Sequence, residues 1–393
     1  MTASLTSSIA SLPAPLSAEE LLRSASPLNQ LSIVRHPVPA RVQGSYTTRF
    51  AAADLAARPD AFHLLSGNGM RPMTGDVVVA RVVEIGNHKR VETMESRKAI
   101  LFENSIIMLA YGHRYAADQF LAHVPDSLQP CHLVAAGGIA GLVTESHADM
   151  EEPTLIEPLG LLADEHGVVN VARSAPLHFD DAAALERLRV SRPKVIAVLG
   201  TSMNSGKSTA AACLVNGLTA SDRRVAAGKI TGTGAGNDPM HYHDAGAQKV
   251  LDFTDFGYPT TFKTSMPEVR SLTVNLIDRL ADSASGSVDV VIVEIADGVY
   301  QEETAALLRD PLFHEVVDQV VFTASDALGA QAGVQALQNV GLSVAAASGV
   351  MTSSPLATRE AGQVLSGAGV PVINTLELTD PEVATRLLLN EQA

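Results

Sequence analysis

The stretch that decides how this chain folds is Val195-Ile196-Ala197-Val198-Leu199-Gly200-Thr201-Ser202-Met203-Asn204-Ser205-Gly206-Lys207-Ser208-Thr209. Five consecutive apolar residues form a buried strand, and the chain then enters a turn rich in Gly and Ser. Helical periodicity follows from Lys207 to Ala220. This order of strand, loop and helix is that of a phosphate-binding loop (P-loop). Backbone amides curl round an anion, Gly206 permits the close backbone approach, and the helix presents its positive N-terminus. Thr201, Ser202, Asn204, Ser205, Gly206, Lys207, Ser208 and Thr209 are the expected nucleotide-binding residues. Lys207 supplies a point charge to the β and γ phosphates, and Ser208 offers its hydroxyl to magnesium. The spacing is long: Gly200 lies six residues before Gly206, so Thr201 occupies the usual first-glycine position.

Downstream, strands and helices alternate. Apolar runs at Arg224 to Ile230, Val288 to Val293, Gln319 to Thr323, Ser343 to Ala347 and Val370 to Ile373 read as further strands. Apolar strands separated by helices predict an α/β fold with a mostly parallel sheet covered by helices on both faces. Residues 194–393 are therefore expected to form the nucleotide-binding catalytic domain.

Upstream the texture differs. Val77 to Ile85 follows the turn Gly75-Asp76, Ser105 to Ala110 follows Glu103-Asn104, and glycines punctuate Leu133 to Val143. Pro153 and Pro158 are expected to bracket a loop before Leu159 to Leu162. Strands at such short spacing predict a β-rich or α+β domain over residues 35–178. Residues 179–193 read as a helix, Asp180 to Val190, followed by a hinge at Ser191-Arg192-Pro193. Residues 1–34, rich in Ser, Thr and Pro, are expected to be poorly structured. The densest polar cluster upstream is Tyr111, His113, Arg114, Tyr115, Asp118 and Gln119. It suits either recognition of a carboxylate or amine, with Arg114 as a bidentate fork, or structural hydrogen bonding at an interface.

Composition narrows the function classes. Lys and Arg number 28 against 43 Asp and Glu, a formal charge of −15, and no basic run is present. Such a surface repels nucleic acid and anionic membranes, although a local nest of amides still holds a small nucleotide. No apolar run reaches the ~20 residues that span a bilayer, and the N-terminus lacks the pattern of a secretory signal. A cytoplasmic protein is expected, whose partners are a small-molecule substrate and a second copy of itself in a dimer. Cys131 and Cys213 have no zinc or redox spacing and read as small apolar residues. His241-Tyr242-His243 only superficially resembles a metal pair, since adjacent residues of an extended chain point to opposite sides.

The P-loop from Gly200 to Ser208 resembles that of the dethiobiotin synthetase group, a family of ATP-dependent enzymes related to cobyrinate amidases. Further likeness lies in Lys229 and Thr233 of GKITGTG, Asp244-Ala245 of HYHDAGA, and Glu294 of VIVEIADGVY. The resemblance implies catalytic roles for Lys207, Lys229 and Thr233, and a Mg²⁺ site of Ser208, Asp244 and Glu294. Hard oxygen ligands of this kind suit Mg²⁺ bridging substrate phosphates. Asp244 also fits a solvated loop acid or helix cap, and Lys229 a snorkelling lysine at a strand end. Two features depart from the family: the turn Ile295-Ala296-Asp297-Gly298-Val299-Tyr300, and Ser348-Gly349 in the nucleotide-base loop. The ending VMTSSPLATREAGQVLSGAGVPVIN is also similar to a widespread P-loop family that includes acyl-amino-acid-forming enzymes.

Together these readings imply ATP- and Mg²⁺-dependent phosphoryl transfer to a small carboxylate or carbamate, leading to an amide or ureido bond. An N-acyltransferase and a nucleotide-switch or metallochaperone GTPase are the alternatives. Thr323-Ala324-Ser325-Asp326 lacks the Asn and Lys of the usual guanine-recognition loop, which favours ATP.

Overall fold

The structure is a computed structural model that describes residues 32–282 and 288–390. Residues 1–31, most of the segment expected to be poorly structured, lie outside the described residues.

The P-loop strand, Lys194–Gly200, sits inside a six-stranded sheet. The strand order is Lys249–Asp252, Val225–Thr231, Val290–Ile295, Lys194–Gly200, Gln319–Thr323, Val344–Ser348, and every pairing is parallel. Alternation along the P-loop strand explains why both faces are covered. Val195, Ala197 and Leu199 pack into one core with the helices Met266–Ala281 and Ala327–Asn339. Ile196 and Val198 pack into another with the helix Lys207–Ala220 and the helix Pro381–Leu389. All of these strands end on the same edge, so the loops that follow them converge there. In open α/β sheets this edge is the ligand-binding one.

Two strand readings need correction. Val370 to Ile373 forms only an isolated bridge, Val372 with Ala347, because Pro371 interrupts the run and removes a donor. Conversely, the edge strand Lys249–Asp252 was not foreseen, since its four residues carry two charges and no apolar run.

Upstream lies a second, ten-stranded sheet, mostly antiparallel, with one parallel pairing between Ile106–Tyr111 and Ile139–Ser146. Its strand Val77–Glu84 also feeds two cores, Val78, Ala80 and Val82 on one face and Val77 and Val79 on the other. The loop expected between Pro153 and Pro158 is instead part of the strand Thr154–Asp164. Pro158 is accommodated where the register shifts between Pro158 and Gly160, a bulge at which a missing donor costs no ladder bond. The run Leu133 to Val143 is two strands, Cys131–Ala135 and Ile139–Ser146, joined by a turn at Gly137-Gly138. The helix expected from Asp180 runs Asp181–Val190, with Asp180 as its cap.

The upstream sheet packs against the loop edge of the parallel sheet. Gly137 is a necessary glycine, because a Cβ there would meet the Gly234 carbonyl oxygen at 1.9 Å. The Glu92 carboxylate accepts from the Gly236 amide at 2.7 Å, at the start of the helix Asn237–Asp244. Tyr46 donates to Asp252 at 2.9 Å. Both cysteines are free, Cys131 buried and Cys213 half-buried. Among the described residues no helix is long and apolar enough to cross a membrane.

One packing contact gives a test of the fold. A Cβ on Gly333, in the helix Ala327–Asn339, would meet the Phe322 ring at 2.0 Å, and Phe322 is fully buried in the neighbouring strand. Gly333→Ala is expected to destabilise despite the better helix propensity of Ala, by a net ~1–2 kcal/mol once overpacking is set against propensity. Urea denaturation measures this, and an unchanged or raised midpoint would contradict the packing.

Candidate functional site

The P-loop is held from three sides by backbone. Thr201 N–H donates to the Thr323 carbonyl at 3.0 Å, Val299 N–H to the Gly200 carbonyl at 3.2 Å, and Val350 N–H to the Ser205 carbonyl at 3.1 Å. Ser205 and Thr323 hydroxyls meet at 2.9 Å in a buried pair. Gly206 has φ of 100°, a conformation that favours glycine, and it leads directly into the helix Lys207–Ala220. Glycine is also required at Gly200, where a Cβ would lie 2.2 Å from Ser205 Oγ. Ser202 and Thr209 are exposed, and Thr201 is half-buried with its amide committed to Thr323. Lys207 folds back over the loop, its Nζ donating to the Ser202 carbonyl at 2.7 Å. Burial lowers the Lys207 pKa against the pull of Glu294 and Asp297.

Beside the loop lies a buried charged cluster. Lys229 and Glu294 are register partners on adjacent parallel strands, so their side chains leave the sheet on the same face. Lys229 Nζ lies 3.2 Å from Glu294 Oε1 and also pairs with Asp238. Tyr242 donates to the other Glu294 oxygen, and the Ser208 hydroxyl lies close enough to Asp238 and Tyr242 to lower the pKa of each. Exposures of 9% for Lys229 and 1% for Glu294 show how little water reaches the pair. Burial opposes the charge on Lys229, but the carboxylates of Asp238 and Glu294 outweigh it and hold the ammonium above its ordinary pKa. Burial likewise works against the Asp238 carboxylate, and Lys229 overrides it, leaving Asp238 below the usual range. Tyr242 is held neutral by burial and by the adjacent Glu294.

The structure brings Ser208, Lys207, Lys229 and Glu294 together, and separates Asp244 from them. Asp244 ends the helix Asn237–Asp244 with its side chain 81% exposed, facing only His243. Asp238, six residues earlier in the first turn of that helix, occupies the position beside Ser208 that the family resemblance assigned to Asp244. The Asp-Ala likeness does not carry over because Gly234-Ala235-Gly236-Asn237 turns the chain straight into a helix, so the nearer acid faces the P-loop and the later one faces solvent. Tyr242 was also missed; its place one turn after Asp238 is the signal that helical periodicity offers. His241 and His243 are exposed, and the described residues contain no group of three His, Cys, Asp or Glu side chains that could hold a metal.

Thr233 forms a bridge with Thr260 and lines a cavity of about 260 Å³ together with Lys229 and Asp238. The opposite wall comes from the upstream sheet: His88, Arg114, Gln119 and the turn at Ala136-Gly137. Asp297, in the turn after Glu294, also faces this cavity. Its peptide bond with Ala296 is cis. Burial raises the Asp297 pKa, while Lys207, Lys229 and Arg114 pull it down. A larger groove of about 440 Å³ opens beside Phe179, Phe256 and Tyr258, but no P-loop residue lines it.

No protein-family model and no curated protein matches this chain. Among solved structures it is similar to the signal recognition particle 54 kDa protein from Aeropyrum pernix K1 in complex with GDP. The two share 16% identity at a TM-score of 0.34, over 51% of this chain and 46% of that one.

Removing Lys229 should strand two buried carboxylates. Lys229→Met is expected to lower stability at neutral pH by ~3–5 kcal/mol, the usual cost of leaving a buried charge unpaired. Asp244→Asn, at an exposed position, should stay within about 0.5 kcal/mol. The depressed Asp238 pKa adds a sign: its stabilisation is present above the unfolded value of about 3.9 and is lost as pH falls through the folded value. The Lys229→Met deficit should therefore shrink in acid. Urea titrations at several pH values test this, and a deficit that grows on acidification would refute the pairing.

Proposed function

We propose that the chain is an ATP- and Mg²⁺-dependent enzyme. In this reading it transfers the γ-phosphoryl group to a carboxylate or carbamate of a small molecule, and the acyl phosphate is then captured in an amide- or ureido-forming step. The observation that carries this reading is the meeting of Lys207, Lys229, Asp238 and Glu294 at the P-loop, beside a cavity large enough for a small acceptor.

The roles follow from the positions. The loop amides and the helix N-terminus cradle the phosphates, and Lys207, now donating to a loop carbonyl, exchanges that acceptor for phosphate oxygen. Ser208, Asp238 and Glu294 are the oxygen donors fitted to Mg²⁺, which takes one or two carboxylates plus phosphates and waters. When bound, the ion supplies charge neutralisation at the phosphates. Lys229 stabilises the charge of the transferring group and of the anionic acceptor. An acceptor oxygen donates its electron pair to γ-phosphorus while the bond to the β–γ bridging oxygen breaks, and ADP leaves with that pair. A nucleophile such as an amine then attacks the acyl carbon, inorganic phosphate departs, and the amine gives up a proton. Asp326 supports ATP over guanine nucleotide, because its carboxylate is engaged in capping the helix Ala327–Asn339, accepting from Gly329 N–H at 2.7 Å.

ADP formation should be slow with MgATP alone and rise when carboxylates, or amines with bicarbonate, are added, because the correct acceptor completes the site. Lys207→Ala is expected to lose at least about 100-fold in turnover. Asp238→Asn should raise the magnesium concentration needed, whereas Asp244→Asn should not. Lys229→Arg, which keeps the charge but not the geometry, should depress the stimulated rate more than ATP affinity. Product mass spectrometry identifies the bond made. Strong preference for GTP, or stimulation only by a protein partner, would replace this reading with a nucleotide switch, and acyl transfer without ADP formation would replace it with an acyltransferase.

A further inference from the structure

The wall that the upstream sheet contributes to the cavity carries an unused cation. Arg114 is 6% exposed, and among its donors Nη2 reaches Gln119 Oε1 at 2.9 Å while Nε has no hydrogen-bond partner. An unpaired guanidinium donor this deeply buried is costly unless something else satisfies it. The acids nearby do not. Asp297 lines the same cavity but makes no hydrogen bond or ion pair among the described residues. Asp118 is tied to the P-loop instead, accepting from Asn204 Nδ2, and its other oxygen is itself without a partner.

We propose that this cavity is the acceptor site and binds a small carboxylic acid as its anion, with Arg114 as the residue that anchors the carboxylate. The acceptor role rests on the phosphoryl-transfer reading above; the anion site itself stands on the cavity. Several features select this class of ligand. The cavity, at about 260 Å³, suits a molecule of a few carbons, and Ala135, Ala136, Gly137, Gly234 and Ala235 give much of it a wall of small residues. Arg114 and Lys229 line the same cavity from different sheets, so an anion held at Arg114 shares the cavity with the cluster while Lys229 keeps its carboxylate partners. A planar guanidinium matches a carboxylate better than a point charge does. Burial lowers the Arg114 pKa to about 10 despite Asp297 and Asp118, so the group is still a cation at neutral pH. His88, on the same wall, is pushed down to about 4 chiefly by burial, with Arg114 adding to the effect, and is therefore neutral there.

The test uses the full chain, without nucleotide, and saturation-transfer NMR with propionate and its neutral isostere propionamide as probes. Propionate should bind and propionamide should not. Arg114→Gln should weaken propionate at least about tenfold, the scale of a lost charge-assisted bond. Ala136→Phe, which fills the cavity from the turn without touching Arg114, should do the same, and it covers the case in which Arg114→Gln fails to fold. Binding of MgATP, measured in parallel, should stay within about twofold in Ala136→Phe. Equal binding of the two probes, propionate binding unchanged in Ala136→Phe, or no propionate binding to the unaltered chain would each overturn the site. If propionate behaves as expected but MgATP does not bind, the phosphoryl-transfer reading fails while the carboxylate site stands.

Discussion

The placement of Lys229 between Asp238 and Glu294 is the constraint on which the rest of the site depends. A lysine this deep in a parallel sheet is stable only with carboxylates in reach, since burial of a lone ammonium would drive it neutral. Glu294 comes from the adjacent strand in register, and Asp238 from the helix that follows the lysine's own strand. Two acids and one base by themselves carry a net negative charge beside the P-loop, and Lys207 is coupled electrostatically to both acids. Lys207 offsets that charge, so the cluster and the loop lysine form one buried network of two acids and two bases.

That cluster also explains why the two sheets meet where they do. The helix bearing Asp238 begins at Gly236, whose amide is taken by Glu92 of the upstream sheet, a charge-assisted bond at a helix N-terminus. Asn204 of the P-loop is in turn held by Asp118. The upstream sheet therefore touches both the phosphate loop and the helix carrying a principal acid. The cavity between them has one wall from each side, so neither sheet alone contains it.

The acids of the site show why position in a strand is more informative than position in a loop. Glu294 and Lys229 end apolar strands, and a strand fixes which face a residue takes through its period of two. Asp238 and Asp244 follow a glycine-rich loop, where spacing does not say which residue begins the helix. Six residues along that helix swing the side-chain direction by about 120°, and the acid expected at the P-loop is the one in solvent.

The amino-acid sequence by itself determined the parallel α/β sheet, because runs of apolar residues separated by helical segments can bury both faces of a strand only in that way. It also determined the strand, glycine turn and helix from Lys194 to Ala220, since these are contiguous, and the residues at strand ends, Lys229 and Glu294. Local periodicity and turn chemistry suffice for all of these. Only the tertiary structure decided that Asp238 and Tyr242 complete the cluster, that Pro158 sits in a strand, and that Arg114 reaches the same cavity as Lys229. Each of these depends on a contact between residues distant in the chain or on a loop path, and neither leaves a periodic trace in the order of residues.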